Sequence, residues 1–165
     1  MGFLDMFNQP ATPVVSSILP AAAKQEIMGG RLPILNTDKV FLKVGEQCHY
    51  IEKVIYEKRI TKKRYVRKRT GYSMPGLFKG HRVNLGGGHT DVVDNIAYDM
   101  IRGILYITNK RIIFVGEQEG FNLKVDDLIA ITPYNNCVEL QYSKDIYKLF
   151  VPDGAITNAV LQLIQ

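Results

Sequence analysis

The residues of this chain whose types and spacing could do chemistry are concentrated in one stretch. From Lys58 to Arg69 it reads KRITKKRYVRKR, with eight basic residues and no acid. Lys58, Arg59, Lys62, Lys63, Arg64, Arg67, Lys68 and Arg69 supply ammonium and guanidinium donors suited to phosphate, carboxylate or sulfate groups. Lys79 and Arg82 extend this anion-binding set if the glycine-rich segment that carries them folds beside it. Tyr65, among the cations, could stack on a nucleobase or simply pack. The chain as a whole has a net charge of +5 from 21 Lys and Arg against 16 Asp and Glu. Outside Lys58–Arg69 it carries 13 basic residues against 16 acidic, a net −3. One basic segment is set in a mildly acidic body, and that asymmetry bears on partners rather than on fold. The competing reading is a solvated strand edge that charge protects from unwanted pairing.

Other constellations are weaker. Ser73 sits in Gly71-Tyr72-Ser73-Met74-Pro75. A nucleophile elbow wants glycine where Pro75 stands, and a strand-to-helix turn. Gly76 to Gly80 leads into His81-Arg82 rather than the Lys-Ser/Thr of a phosphate loop. Gly86-Gly87-Gly88 could form an anion-binding nest or a plain turn. His49, His81 and His89 lack metal-ligand spacing, and Asp91, Asp94 and Asp99 do not fit a calcium loop. Cys48 and Cys137 are the only cysteines, too few for a disulfide framework or a four-cysteine zinc site. They read as small strand residues. No nucleophile, base and orienting group are brought together by spacing, so the expectation is a non-enzyme with no cofactor or metal.

The elements that must position the basic segment are mostly strands. Cys48, Tyr50, Glu52, Val54 and Tyr56 alternate with His49, Ile51, Lys53 and Ile55, which predicts a strand running directly into the cations. Both faces of the continuation are cationic, so neither suits a core. A long strand or ribbon extending from the body, or a charged edge strand, is expected. Arg82 to Leu85 reads as a short strand, and Asp91 to Met100 as either a helical turn or a strand.

Gly103 to Gly116, GILYITNKRIIFVG, reads as a β-hairpin. Its register should place Thr108 opposite Arg111, Ile107 opposite Ile112 and Leu105 opposite Phe114. Leu105, Ile107, Ile112 and Phe114 then share one apolar face, whose burial fixes the register. Asn109-Lys110 is expected to form a primed turn with positive φ, and Asn135-Asn136 a second hairpin turn. Further strands are expected around Phe121–Val125, Leu128–Tyr134, Val138–Tyr142 and Ile146–Val151. Asp153 should cap a terminal helix whose apolar face is Ile156, Ala159, Val160, Leu163 and Ile164. Ala21 to Met28 is a short helix ended by Gly29-Gly30. Short strands with tight turns, closed by one amphipathic helix, define a mainly β (α+β) chain curled into a barrel or sandwich.

At 165 residues a single domain is the default, and such a chain buries roughly 70% of its unfolded surface. Residues 1–30 read as a tail with short helical segments, and residues 31–165 as the domain. The first residues carry Asp5 and no early cation, unlike a secretory signal. No apolar run is long enough to span a bilayer as a helix. The cytoplasm is the expected compartment, with peripheral attachment to a membrane surface as a second option.

Between Leu32 and Gln165 the chain resembles the pleckstrin-homology-like superfamily, and within it the GRAM-like domains of bacterial and phage proteins. The residues that carry the resemblance are Gly45-Glu46, Gly71, Ser73, Gly80, and above all Gly103, Leu105, Thr108-Asn109, Arg111, Phe114 and Gly116. The resemblance implies a strongly bent seven-stranded antiparallel sheet, a partly open barrel capped by the C-terminal amphipathic helix. It further implies binding of lipid headgroups, peptides or proteins rather than catalysis. Lys62, Arg64, Lys68 and Lys79 could then serve as headgroup ligands. The functional expectation is an interaction module whose basic ribbon engages an acidic protein face or an anionic lipid surface. The alternatives are nucleic-acid binding through the same segment, or a structural role in homo-oligomers through the N-terminal tail or an edge strand.

Overall fold

The computed structural model describes residues 12–69, 72–75, 82–85 and 88–165, and side chains within 12–67 and 90–165. The chain divides into two compact units. The first comprises the residues up to Lys58 together with Asp99–Gln165, and the second is Arg59–Tyr98. Two long strands run through both: β1 (Cys48–Arg69) and β4 (Gly88–Thr108). The second unit also holds a small antiparallel pair, β2 (Tyr72–Pro75) and β3 (Arg82–Leu85), in which Tyr72 faces Leu85 and Pro75 faces Arg82. Asp91 to Met100 is thus strand, the second of the two forms its sequence allowed.

The remaining strands are β5 (Arg111–Gly116), β6 (Gly120–Lys124), β7 (Ala130–Pro133), β8 (Cys137–Gln141) and β9 (Ile146–Phe150). With β1 and β4 they form one seven-stranded sheet in the order β6-β5-β4-β1-β9-β8-β7. The order is linear and does not return on itself, so the sheet is open. Helix α1 (Ala21–Met28) precedes it and α2 (Gly154–Ile164) follows it.

The β4–β5 hairpin has the register its apolar pattern demands, with Leu105 opposite Phe114 and Ile107 opposite Ile112. All four side chains are buried. The turn type differs from expectation, because no non-glycine residue among those described has positive φ. The reason lies in Thr108, whose Oγ1 accepts hydrogen bonds from the Lys110 and Arg111 backbone N–H groups at 3.1 and 2.8 Å. A side-chain acceptor satisfies the turn, and no left-handed residue is needed. The Asn135-Asn136 turn likewise closes without positive φ, through Tyr134 N–H to the Cys137 carbonyl at 2.8 Å.

The core of the first unit includes Tyr50, Val54, Leu105, Phe114, Val138, Leu149, Val160 and Leu161. Leu19, Ala23 and Ile27, from the segment read as a tail, belong to the same core. Helix α1 stops where Gly30 adopts φ +80° and the Arg31 N–H returns to the Glu26 carbonyl at 2.9 Å. Helix α2 starts as expected, with the Asp153 carboxylate accepting from the Ala155 and Ile156 N–H groups. Its buried face needs correction: Ile156, Thr157, Val160 and Leu161 point inward, whereas Leu163 is exposed. The Tyr50 hydroxyl lies 2.7 Å from Thr157 Oγ1, and this bond turns the face by one residue toward Thr157.

Candidate anion-binding ribbon

Unit Arg59–Tyr98 contains nine Lys and Arg against two Asp, a net +7, which leaves −2 for the rest of the chain. Its cations lie on β1, where successive side chains alternate between faces. Lys62 and Arg64 share one face with Ile60 and Val66, and Arg59, Lys63 and Arg67 share the other with Thr61 and Tyr65. Burial follows this alternation only for the apolar residues. Ile60 and Val66 are half-buried, while Arg59, Lys62, Lys63, Arg64, Tyr65 and Arg67 are all exposed. Lys62 and Arg64 are about 7 Å apart along the strand, and Arg59, Lys63 and Arg67 follow one another at about 13 Å. None of these five cations forms an ion pair among the described residues.

The other expected site residues fare differently. Lys58 lies in the first unit and is occupied: its Nζ sits 2.7 Å from Glu119, donating to both carboxylate oxygens. Lys68, Arg69 and Arg82 lie on strands, but their side chains fall outside the described residues, as does Lys79 altogether. The continuous charge of KRITKKRYVRKR therefore contains at least one residue whose partner is internal. Glu119 is 61 residues away, too far for local pattern to pair it.

The second strand of the ribbon is different in character. On β4, Val92, Val93, Ile96 and Tyr98 are about half exposed, with Asp91 and Asp94 among them. The ribbon thus joins a cationic strand to an apolar, mildly acidic one.

Of the lesser constellations, Ser73 lies within β2 opposite Asn84, not on a strand-to-helix turn. His49 is buried, and its Nδ1 lies 2.7 Å from the Pro33 carbonyl. A carbonyl only accepts, so Nδ1 carries the proton, and His49 is a buried, hydrogen-bonded histidine rather than an exposed one. His81, Gly86 and Gly87 fall outside the described residues. Cys48 and Cys137 are unbridged and buried on strands, and burial pushes both thiols up. Among the described residues no group of His, Cys, Asp and Glu is placed to hold a metal ion.

Sequence reasoning missed two polar clusters and a groove. The first cluster is built on Glu46. Burial raises its carboxyl, but hydrogen bonds from Arg111, the Lys43 N–H and Thr108 outweigh this and hold it down to about 2. The second is Glu52, fully buried on β1. It accepts from Ser17 Oγ at 2.6 Å and from the Ile18 N–H at 2.5 Å, which ties the N-terminal segment to the central strand. Glu52 falls on the apolar face of an alternating strand, and that is the one signal that could have exposed it. The groove, about 640 Å³, is lined among others by Val14, Val15, Gly103 and Gly116, with Lys53 and Arg102 as its cations. Gly103 and Gly116 are cross-strand partners.

No known protein family, curated protein sequence or solved structure matches this chain.

Proposed function

We propose that the protein is a non-catalytic interaction module that engages an anionic partner through its basic β-ribbon. The observation that carries this reading is the set Arg59, Lys62, Lys63, Arg64 and Arg67, exposed on one strand of a unit with net charge +7. Cations held along an extended strand keep their side chains in water, free to exchange solvent for carboxylate or phosphate. The pleckstrin-homology-like assignment belongs to the same proposal. The seven-stranded antiparallel sheet and the helix that follows its last strand support it. So does the hairpin of Gly103, Leu105, Arg111, Phe114 and Gly116, whose residues keep the expected register.

The test is retention of the full chain on an immobilised anionic surface such as heparin, compared with a variant in which the five cations are Gln. The natural chain should elute at clearly higher salt. Equal elution would remove the proposal. A second reading has one observation in its favour: Tyr65 is exposed between Arg64 and Arg67, where it could stack on a base. For nucleic acid, five phosphate contacts give a log–log salt slope of about −4 to −5 on duplex DNA. A flat salt dependence would eliminate it.

A further inference from the structure

Among the described residues, the cations flank a sheet edge that no strand covers. Strand β9 pairs with β1 at Ile55, Tyr56 and Glu57, and β4 is the other neighbour of β1 in the sheet. Among the described residues no strand is paired with the β9 side of β1 over Arg59–Arg67. Nine residues of strand span about 30 Å, so the edge offers several outward backbone N–H and C=O groups, a template for one further strand. Charge on an edge normally prevents pairing with a second copy. Here it repels another cationic edge and favours an acidic one.

The distribution of charge selects the occupant. Lys62 and Arg64 stand on one face of the sheet, and Arg59, Lys63 and Arg67 on the other. A bilayer or a duplex lying against the ribbon meets one face only and leaves the other set unused. A strand added at the edge lies in the plane of the sheet, and its own side chains alternate up and down. Carboxylates on both of its faces then meet both sets of cations. Strand addition of this kind draws affinity from main-chain hydrogen bonds and specificity from alternate side chains.

We infer that the Arg59–Arg67 edge of β1 binds an extended acidic segment of another protein as an added antiparallel or parallel strand, completing a three-stranded ribbon with β4. This rests on the anion-binding reading above and names the partner class for the same site.

The experiment uses the full chain and four probes. The first is a fluorescent peptide of about ten residues, with Glu on both strand faces and Val and Thr between. The second is the same peptide N-methylated at alternate backbone nitrogens, which keeps its charge but cannot pair as a strand. The third and fourth are a single-stranded oligonucleotide and a phosphatidylserine vesicle. Strand addition predicts that the unmodified peptide binds and that N-methylation weakens it about a hundredfold by removing several main-chain hydrogen bonds. Substituting Lys62→Gln and Lys63→Gln together, one exposed cation on each face, should weaken the unmodified peptide about tenfold. Equal binding of the two peptides would overturn strand addition while leaving the anion-binding reading intact. Binding of oligonucleotide or vesicle but of neither peptide would overturn the acidic-strand partner and again leave that reading standing. Failure of every anionic probe would bring down both.

Discussion

Arg111 lays its guanidinium along the carboxylate of Glu46, with Nε 2.8 Å from Oε1 and a terminal nitrogen 2.9 Å from Oε2. The two residues are 65 positions apart. Arg111 follows the β4–β5 turn, and Glu46 precedes β1. Thr108 Oγ1 donates to the same carboxylate at 2.7 Å, and Asn109 bonds to the Gln47 N–H and the Gly45 carbonyl. Gly45 adopts φ +76°, a conformation that glycine takes without steric cost and that presents its carbonyl to the hairpin. Arg111 is therefore spent on holding the entry to β1.

Arg111→Met should destabilise the protein by about 3 kcal/mol, because it leaves a buried carboxylate with two hydrogen-bond donors and no counter-charge. Urea titration at neutral pH measures this. The double variant Arg111→Met with Glu46→Gln should recover part of the loss.

Acid sensitivity follows from the same carboxyl. Its folded value of about 2 lies below the ordinary 4.5. Its stabilisation is therefore complete above about pH 5, falls as pH drops through this interval, and is gone below about 2. The full effect is about 3 kcal/mol. Urea midpoints of natural chain and Glu46→Gln should differ most at neutral pH and converge near pH 2.

Gly154→Ala should cost about 3 kcal/mol, since overpacking against main chain cannot relax through side-chain rotation. A Cβ there would overlap the Tyr134 carbonyl oxygen and meet that of Cys137 at 2.9 Å. Thermal denaturation reads the loss. The neighbouring exposed Ala155 should tolerate Ser with little change.

Ser17→Ala should weaken attachment of the N-terminal segment by about 1.5–3 kcal/mol, the range for a hydrogen bond to a carboxylate. Ile27→Ala, in the core that this segment helps to fill, should cost about 2–4 kcal/mol. Limited proteolysis before Leu19 should quicken in the first variant, and global stability should fall in the second.

Replacing Arg59, Lys62, Lys63, Arg64 and Arg67 with Gln should leave the folding midpoint unchanged or slightly raised, because it relieves like-charge repulsion along one strand. Exposed charges of this kind change stability by less than about 1 kcal/mol. Loss of anion binding with the fold intact would separate recognition from structure.

The hairpin was legible because its alternation is strict and its four apolar residues have one burial solution. The Asp153 cap and the Gly29-Gly30 stop were legible because caps depend on local chemistry. The turn type was not, since Thr108 satisfies it through a side-chain oxygen that no turn propensity anticipates. The inward face of α2 was not, because Thr157 is polar and becomes core only through Tyr50, 107 residues earlier. Within the ribbon, the exposed set of Arg59, Lys62, Lys63, Arg64 and Arg67 was readable from charge on both faces of a strand. The diversion of Lys58 to Glu119 was not, because long-range ion pairs leave no periodic trace.

The position of β1 between β4 and β9 has a consequence for the order of assembly. The central strand of the sheet is made before every other strand, and one of its neighbours is the last strand to be made. Glu52 can be capped by Ser17 and Ile18 as soon as it emerges, but Glu46 waits for Arg111, and Tyr56 waits for Leu149. Closure is therefore governed by contacts far apart along the chain, a topology associated with slow folding. During synthesis the middle of the sheet stands without both neighbours until β9 has left the ribosome, and its run of cations keeps that exposed strand from adhering to copies of itself.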